Sequence, residues 1–325
     1  MKPLKRLIAG AVTAGTLLLG APVAPSATDY PVTVESCGKP ITFRKAPERA
    51  VSIEMNISEI MFTLELQDRM VGVAGITGWY KMTPEFKAAM GELPELAPKY
   101  PTMENLLGAD LDFLFAGWYY GMKPGGAVTP ESLAEYDVPV YVLTESCVHV
   151  HENRPPVSMD TMYMDVLNIG KIFGREDRAR ELVMDYKARV AKIVSATRDA
   201  PKTRVFLYDS GEEKAFTAGK FAMPTAIIES AGGRNIMDDI ETSWARVGWE
   251  SVIDRNPEFI VIVGFQDGSW KDRWAFMKNN PALRDIDAVR NDRYLVLGYT
   301  EITPGPNNIP AIEKLARALH PDRVQ

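Results

Sequence analysis

The segment His149-Val-His151-Glu152 brings two imidazoles and an acid together in a chain with only three histidines. An extended backbone would put both imidazoles on one face, with Glu152 adding an acid. A zinc or other transition-metal site draws on three or four convergent ligands, and His320 lies far off near the end. The reading is therefore no metal centre, with His149 as one contact to a ligand. Surface or hydrogen-bonding histidines are the plainer alternative. No Gly-rich phosphate loop, G-x-S-x-G elbow or H-E-x-x-H helix occurs in the chain, so no catalytic residue is assigned. Aromatic residues gather instead at Trp79-Tyr80, Trp118-Tyr119-Tyr120, Trp244, Trp249 and Phe265. Three adjacent rings in WYYG cannot all point into one core, so at least one should face a cleft or solvent. Arg246, two residues past Trp244, is placed to meet an anionic group, against the alternative of a solvated arginine.

The elements that would carry these residues alternate. Apolar strands at 50–53, 70–74, 111–116, 140–143, 204–208, 259–263 and 294–297 are interleaved with helical patterns. That alternation predicts parallel sheets covered by helices on both faces. Ligands of such sheets bind outside the carboxyl ends of the strands, and the aromatic residues named above fall at strand ends. Between the two sets of strands runs REDRARELVMDYKARVAKIVSATR, Arg175 to Arg198. Its apolar and small residues recur every three or four positions, with Glu176 and Asp177 in the first turn and Pro201 beyond the end. At about 1.5 Å per residue this helix would be roughly 35 Å long, enough to cross a domain.

The two sets share a counted pattern. ENLLGADLDF from Glu104 and ESVIDRNPEF from Glu250 each have two aliphatic residues at the third and fourth positions, an acid at the ninth and a Phe at the tenth. Each runs on into an aliphatic strand and then Gly-aromatic, Gly117-Trp118 and Gly264-Phe265. Two similarly built lobes, with the long helix as connector, follow from this repeat. The expected architecture is α/β, each lobe a mainly parallel sheet covered by helices. Its segments are a signal peptide at 1–27, lobes at 28–174 and 199–325, and the backbone helix at 175–198.

The signal peptide rests on Lys2, Lys5 and Arg6 before the apolar run Leu7–Leu19 and the small-residue stretch GAPVAPSA. The run is shorter than the roughly 20 residues of a spanning helix, and Ala21 rather than cysteine follows LLLG, so a soluble, periplasmic protein is expected. A formal charge of -6, and no Lys/Arg-rich run, argue against a nucleic-acid partner. Cys37 and Cys147 are the only cysteines. In an oxidising compartment an isolated pair reads as a disulfide, with two free buried thiols as the alternative.

ITFRKAPERAVSIEMNISEIMFTLELQDRMVGVAG resembles the opening of class III periplasmic solute-binding proteins, the ferric-siderophore and cobalamin receptors of ABC importers. The likeness continues through TMENLLGADLDFLFAGW, LNIGKIFGREDRARELV, AGGRNI, WARVGWESVIDRNPEFIVIVG and DAVRNDRYLVL. The resemblance implies a binding protein and not an enzyme, with no intrinsic cofactor. It implies transient docking onto an ABC permease and its ATPase through a surface glutamate on each lobe, at Glu104 and Glu250. It implies cleft aromatics at Trp118 and Trp244, the latter a tryptophan position in cobalamin receptors. A ferric siderophore is the leading ligand, on the aromatic walls with Arg246 and His149. Cobalamin or another corrinoid comes second, then haem or a metallophore complex. A monomer is expected. From another class, an exported metal-dependent enzyme working through His149–Glu152 is the competitor.

Overall fold

The computed structural model describes residues 28–78, 82–151, 155–265 and 268–324. The signal peptide, Trp79, Tyr80 and Glu152 lie outside the described residues. The chain starts with an antiparallel hairpin, β1 (Val32–Ser36) and β2 (Lys39–Phe43). Gly38 at its turn has φ +73, and a Cβ there would sit 2.7 Å from the His151 ring. Glycine alone fits both constraints.

β3 (Ala50–Ile53), α1 (Met55–Thr63), β4 (Met70–Ala74), α2 (Pro84–Met90), β5 (Glu95–Ala97), α3 (Met103–Gly108) and β6 (Phe113–Trp118) follow. The short β7 (Gly121–Met122), α4 (Pro130–Ala134) and β8 (Val140–Val142) complete the first sheet. Its order is β5-β4-β3-β6, with β7 and β8 both beside β6, and every pair is parallel. A 3₁₀ turn, Thr144–His149, leads to α5 (Met159–Ile172) and then to α6 (Glu176–Thr197), the long helix read from the sequence.

Past α6 come β9 (Thr203–Tyr208), β10 (Ala215–Ala218), α7 (Met223–Ser230), β11 (Gly233–Asn235), β12 (Trp244–Val247), α8 (Trp249–Arg255) and β13 (Phe259–Gly264). α9 (Trp270–Asn279), α10 (Asp287–Arg290), β14 (Tyr294–Gly298), α11 (Tyr299–Ile302) and α12 (Asn308–Leu319) end the chain. The second sheet has the order β11-β9-β13-β14, again all parallel, while β10 and β12 form a separate antiparallel pair. In each sheet the chain leaves at the carboxyl ends and returns through α3 or α8 to the amino end of the next strand.

Alternation along the strands sorts the core. Phe113 and Phe115 of β6, Val205 and Leu207 of β9, and Phe259, Val261 and Val263 of β13 share one apolar cluster with Ala179, Val183, Tyr186 and Ile193 of α6. That cluster runs through both halves. The opposite faces bury Leu114, Ala116 and Trp118 in one half and Phe206, Tyr208, Ile260 and Ile262 in the other. α6 packs on α5, α12 and α7. Gly170 of α5 allows the first approach, since a Cβ there would lie 2.4 Å from the Ala179 Cβ. Arg189 grips Glu313 of α12 through both carboxylate oxygens, at 2.8 and 3.0 Å. Val194, although its spacing is that of the apolar face of α6, is 43% exposed.

The counted repeat has a structural meaning. Asp112, the acid of the first copy, accepts the N–H of Arg49 at 2.9 Å and returns its own N–H to Arg49 O at 3.1 Å. Glu258, the acid of the second, does the same with Arg204, at 2.9 Å in both directions. The two arginines turn back onto the helix ends: Arg49 donates to Asp110 O and Ala109 O, and Arg204 to Asn256 O. Asp110 and Asn256, at the same place in the repeat, both have positive φ, 52° and 37°. Each copy is thus braced to the neighbouring strand by one arginine and one acid. Asp112→Ala should cost about 1 kcal/mol in urea unfolding and Asp112→Asn clearly less, because two N–H groups at this exposed edge lose a charged acceptor. Glu258→Ala should match it; no loss in either variant would remove the brace from the fold's energetics.

Candidate functional site

Between the halves, where the carboxyl ends of both sheets meet, lies a cavity of about 490 Å³. From the first half it is lined by Tyr119, Tyr120 and His149, from the second by Asp209, Phe216, Thr242, Trp244, Tyr299 and Thr303. A second cavity of about 520 Å³ lies beside it, between α1 and α2 on one side and the β13 and β14 ends with α12 on the other.

The WYYG turn separates its three rings. Trp118, the last residue of β6, follows Leu114 and Ala116 by period-two alternation into the core and is 6% exposed. The expectation that it faces the cleft is corrected. Tyr119 then takes φ +65, which reverses the chain, and its ring is 52% exposed. Tyr120 is buried at the cavity floor.

His149 and Glu145 come from the 3₁₀ turn, which is pinned along its length. Buried Asp165 of α5 accepts from Thr144 N at 3.1 Å and Thr144 Oγ1 at 2.6 Å. Ser146 Oγ accepts the N–H of Trp118 at 3.0 Å. Cys147 is joined to Cys37 in a disulfide with Cα atoms 5.2 Å apart, as the sequence indicated, tying the turn to the β1–β2 hairpin. His149 meets Tyr119 edge to face at 4.6 Å. His151 points elsewhere, onto the Cys37 carbonyl, and His320 is buried against Gly232 O. The imidazoles do not converge, and no group of three metal-ligating side chains occurs among the described residues.

The opposite wall is built by the β10–β12 pair. Phe216 and Trp244, diagonal neighbours across it, stack at 5.4 Å. Arg246 stands directly opposite Phe216, with its guanidinium 5.2 Å from the ring centre, exposed and outside the cavity lining. Asp209, immediately after β9, is buried, and that burial raises its pKa against the opposing pull of Arg273 and Arg246. Phe265 lines the second cavity, stacked on Tyr299 at 6.3 Å. The described candidates are thus divided: Tyr119, Tyr120, His149 and Trp244 come together, Phe265 belongs to the neighbouring cavity, Arg246 to the rim and Trp118 to the core. Glu104 and Glu250 are exposed in the first turns of α3 and α8.

Sequence reasoning missed the residues that cross between the halves. Glu54, 2% exposed and at φ +77, accepts the Tyr299 hydroxyl at 2.7 Å. Glu59 accepts Asn307 Nδ2 at 2.9 Å, and burial pushes its pKa up to about 8. Glu145, 5% exposed, accepts Met223 N at 2.9 Å and the Tyr120 hydroxyl at 3.2 Å. Burial raises Glu145 to about 7 despite both bonds. Burial, then the Glu145 and Glu54 carboxylates, hold the Tyr120 phenol well above its usual range. A lone acid next to an apolar run was the available signal for all three.

With this geometry in place, comparison with known proteins identifies the class. The chain belongs to the periplasmic binding protein family, whose model matches residues 51–299. A cobalamin-binding protein of Halobacterium salinarum is 24% identical over 303 residues, 91% of this chain and 76% of that one. A vitamin B12-binding protein of Vibrio vulnificus is 23% identical over 288 residues, 85% of this chain and 91% of the relative. Among solved structures, a periplasmic binding protein from Veillonella parvula matches with a TM-score of 0.78 and 28% identity, covering 89% of this chain and 97% of that one. A structure from the ABC-type Fe3+-hydroxamate transport system of Saccharomonospora viridis matches at 0.74 and 25%, covering 90% and 99%. The two-lobe α/β fold expected from the sequence is the fold of these proteins. Among the described residues no helix is long and apolar enough to cross a membrane.

Glu145 gives the site a pH signature. Its native pKa of about 7 lies above the ordinary value of 4.5, so the native state holds a proton that the unfolded chain has released in between. Its contribution is complete below pH 4.5 and lost as the pH rises through about 7, a change on the order of 3 kcal/mol. Relative to wild type, Glu145→Gln should gain stability between pH 5 and pH 8 in urea titrations. Parallel pH profiles would show that the carboxylate is not buried as described.

Proposed function

We propose that this protein is the periplasmic receptor of an ABC importer and that it carries a bulky metal chelate with an uncharged periphery, a cobalamin-type corrinoid. The observation that carries this reading is the cavity wall. Tyr119, Tyr120 and His149 face Phe216 and Trp244, and no lysine or arginine lines the space among the described residues. Paired aromatic faces suit a broad, flat ligand, and the hydroxyls and Asp209 suit one that donates hydrogen bonds. A strongly anionic siderophore, or the carboxylates of haem, would find Asp209 inside and Arg246 only at the rim. That reverses the order read from the sequence, where Arg246 was given to the ligand. The names of the curated relatives, cobalamin-binding and vitamin B12-binding, support the same choice. An uncharged ferric hydroxamate is the second reading, supported by the similar structure from an Fe3+-hydroxamate transport system. An exported enzyme working through His149–Glu152 is disfavoured because His149 and His151 point apart.

The reading fixes an experiment. Quenching of intrinsic tryptophan fluorescence by cyanocobalamin should be saturable, and Trp244→Ala should weaken binding by about tenfold or more, as loss of a central aromatic anchor does. Trp118→Phe should leave the affinity within about twofold, since that ring is in the core. Equal losses in the two variants would put the ligand elsewhere.

In the same reading the lobes are residues 28–174 and 199–325, held by the connector at 175–198, and the exported chain is a monomer between docking events. Glu104 and Glu250 meet basic sites on the permease. Both are exposed, and each opens the helix of one braced copy. The double variant Glu104→Ala/Glu250→Ala should cut receptor-stimulated ATP hydrolysis by the reconstituted importer about tenfold, with unchanged affinity for cyanocobalamin. Full stimulation by that variant would remove both residues from docking.

A further inference from the structure

Glu145 links two cavities, and its two oxygens have separate partners. Oε1 accepts the N–H of Met223 at 2.9 Å, and Oε2 faces the Tyr120 hydroxyl at 3.2 Å. Tyr120 lines the cleft cavity. Glu145 also lines a separate hollow of about 280 Å³, with Thr144, Cys147, His151 and Phe221. That hollow gives a proton a way to the carboxyl that does not pass the ligand.

The two bonds dictate where a proton on Glu145 sits. A backbone N–H only donates, so Oε1 is an acceptor in either charge state. The proton of the neutral acid therefore belongs on Oε2, against the phenol. When Glu145 is ionised, the Tyr120 proton is committed to it and the cavity meets a phenol lone pair. When Glu145 is neutral, Oε2–H donates to the phenol oxygen, and the Tyr120 proton is released toward the cavity. The Trp244 side chain also hydrogen-bonds to Tyr120; an indole N–H only donates, so this bond fits both states. Tyr120 keeps its own proton throughout, because burial, then the Glu145 and Glu54 carboxylates, hold its pKa well above the usual range. Burial sets Glu145 at about 7 against its two bonds, so both of its states are populated near neutral pH.

Other titratable groups face this pair from the neighbouring elements. Asp165 of α5 adds to the rise in Glu145, but its oxygens accept from Thr144 and Tyr141, which do not line the cleft. Glu54 acts on Tyr120 from the start of α1, and α7 meets Glu145 with the Met223 N–H. Glu35 of β1 and His151 border the hollow, while Asp209, His149, Tyr119 and Tyr299 line the cleft.

We infer that the Glu145 carboxyl sets the hydrogen-bonding polarity of Tyr120 in the cleft, acceptor toward the ligand when ionised and donor when neutral. Glu145 is thus a positioning residue for the ligand, an assignment that deepens the chelate reading above and rests on it. The amide N–H groups of a corrinoid rim favour the acceptor state, with Asp209 as a second acceptor.

The test is titration of the full exported chain with cyanocobalamin between pH 6 and pH 8, followed by tryptophan quenching. Glu145→Gln accepts Met223 N–H through its carbonyl and donates its amide to the phenol, so it copies the neutral state at every pH. The affinity ratio of wild type to Glu145→Gln should rise from about twofold at pH 6 to about tenfold at pH 8. Asp209 and His149 are present in both proteins and cancel from that ratio. In the Tyr120→Phe background, Glu145→Gln should change the affinity by less than about twofold at either pH. A pH-dependent ratio that survives in this background would assign the effect to the charge of Glu145 and overturn the switch, as would a flat ratio in the wild-type background. A second measurement needs no ligand: the tyrosine doublet in ultraviolet resonance Raman spectra, whose intensity ratio is low for a phenol donating to a carboxylate and higher for one that accepts. The difference spectrum of wild type against Tyr120→Phe should lower its ratio from pH 6 to pH 8, and the same difference taken in the Glu145→Gln background should not. If the doublet shifts and cyanocobalamin fails to saturate at any pH, the corrinoid reading falls and the switch stands. If cyanocobalamin saturates and the doublet does not shift, the corrinoid reading stands and the switch falls.

Discussion

Glu54, Glu59 and Glu145 stand in the first half of the chain, and each takes a hydrogen bond from the second: from the Tyr299 hydroxyl, the Asn307 amide and the Met223 N–H. A buried carboxylate is costly unless its oxygens are satisfied, so moving one half against the other would take a hydrogen bond from each of the three. Asn56 adds a fourth crossing, to Pro304 O at 2.9 Å. These contacts sit on the same side of the molecule as the cleft, and the shared apolar cluster along α6 holds the other side. Hinge closure of the kind seen in flexible two-domain receptors would tear both.

The same constraint holds the walls of the cleft in place. Its walls are made of pairs, Tyr119 with His149 and Phe216 with Trp244, and each pair is fixed by a different device. The first is set by the Cys37–Cys147 disulfide and the Asp165 hydrogen bonds, the second by the register of β10 on β12. Rigid rings at fixed separation recognise shape, and the few polar groups between them set orientation.

Much of this was legible in the chain. Strand periodicity, the long amphipathic helix and the spaced repeat predicted two sheets and a connector, and the family resemblance agreed. The repeat even marked the bracing acids, Asp112 and Glu258, although spacing alone could not say what they bind. Trp118 was given to the cleft by the family resemblance, whereas two-residue alternation from Leu114 and Ala116 sends its ring to the core. β5, β7, β11 and β12 escaped because two- to four-residue strands carry too little pattern. The roles of Glu54, Glu59, Glu145 and Tyr299 were missed because they arise between segments up to 248 residues apart, where no local period exists. Arg246 was read as a ligand contact without sight of the cross-strand Phe216 ring it stands over.

The direction of two short helices has one more consequence. In a parallel sheet a crossover helix starts from the carboxyl-end side and runs back toward the amino ends, so the first turns of α3 and α8 look toward the rim on which the cleft opens. Glu104 and Glu250 occupy those turns. A membrane protein that grasps both would lie across the mouth and act as its lid. Attachment and enclosure would then be a single event: the cargo would pass from aromatic walls to a sealed antechamber, never returning to bulk solvent, and the receptor would not need to open wide to let it go.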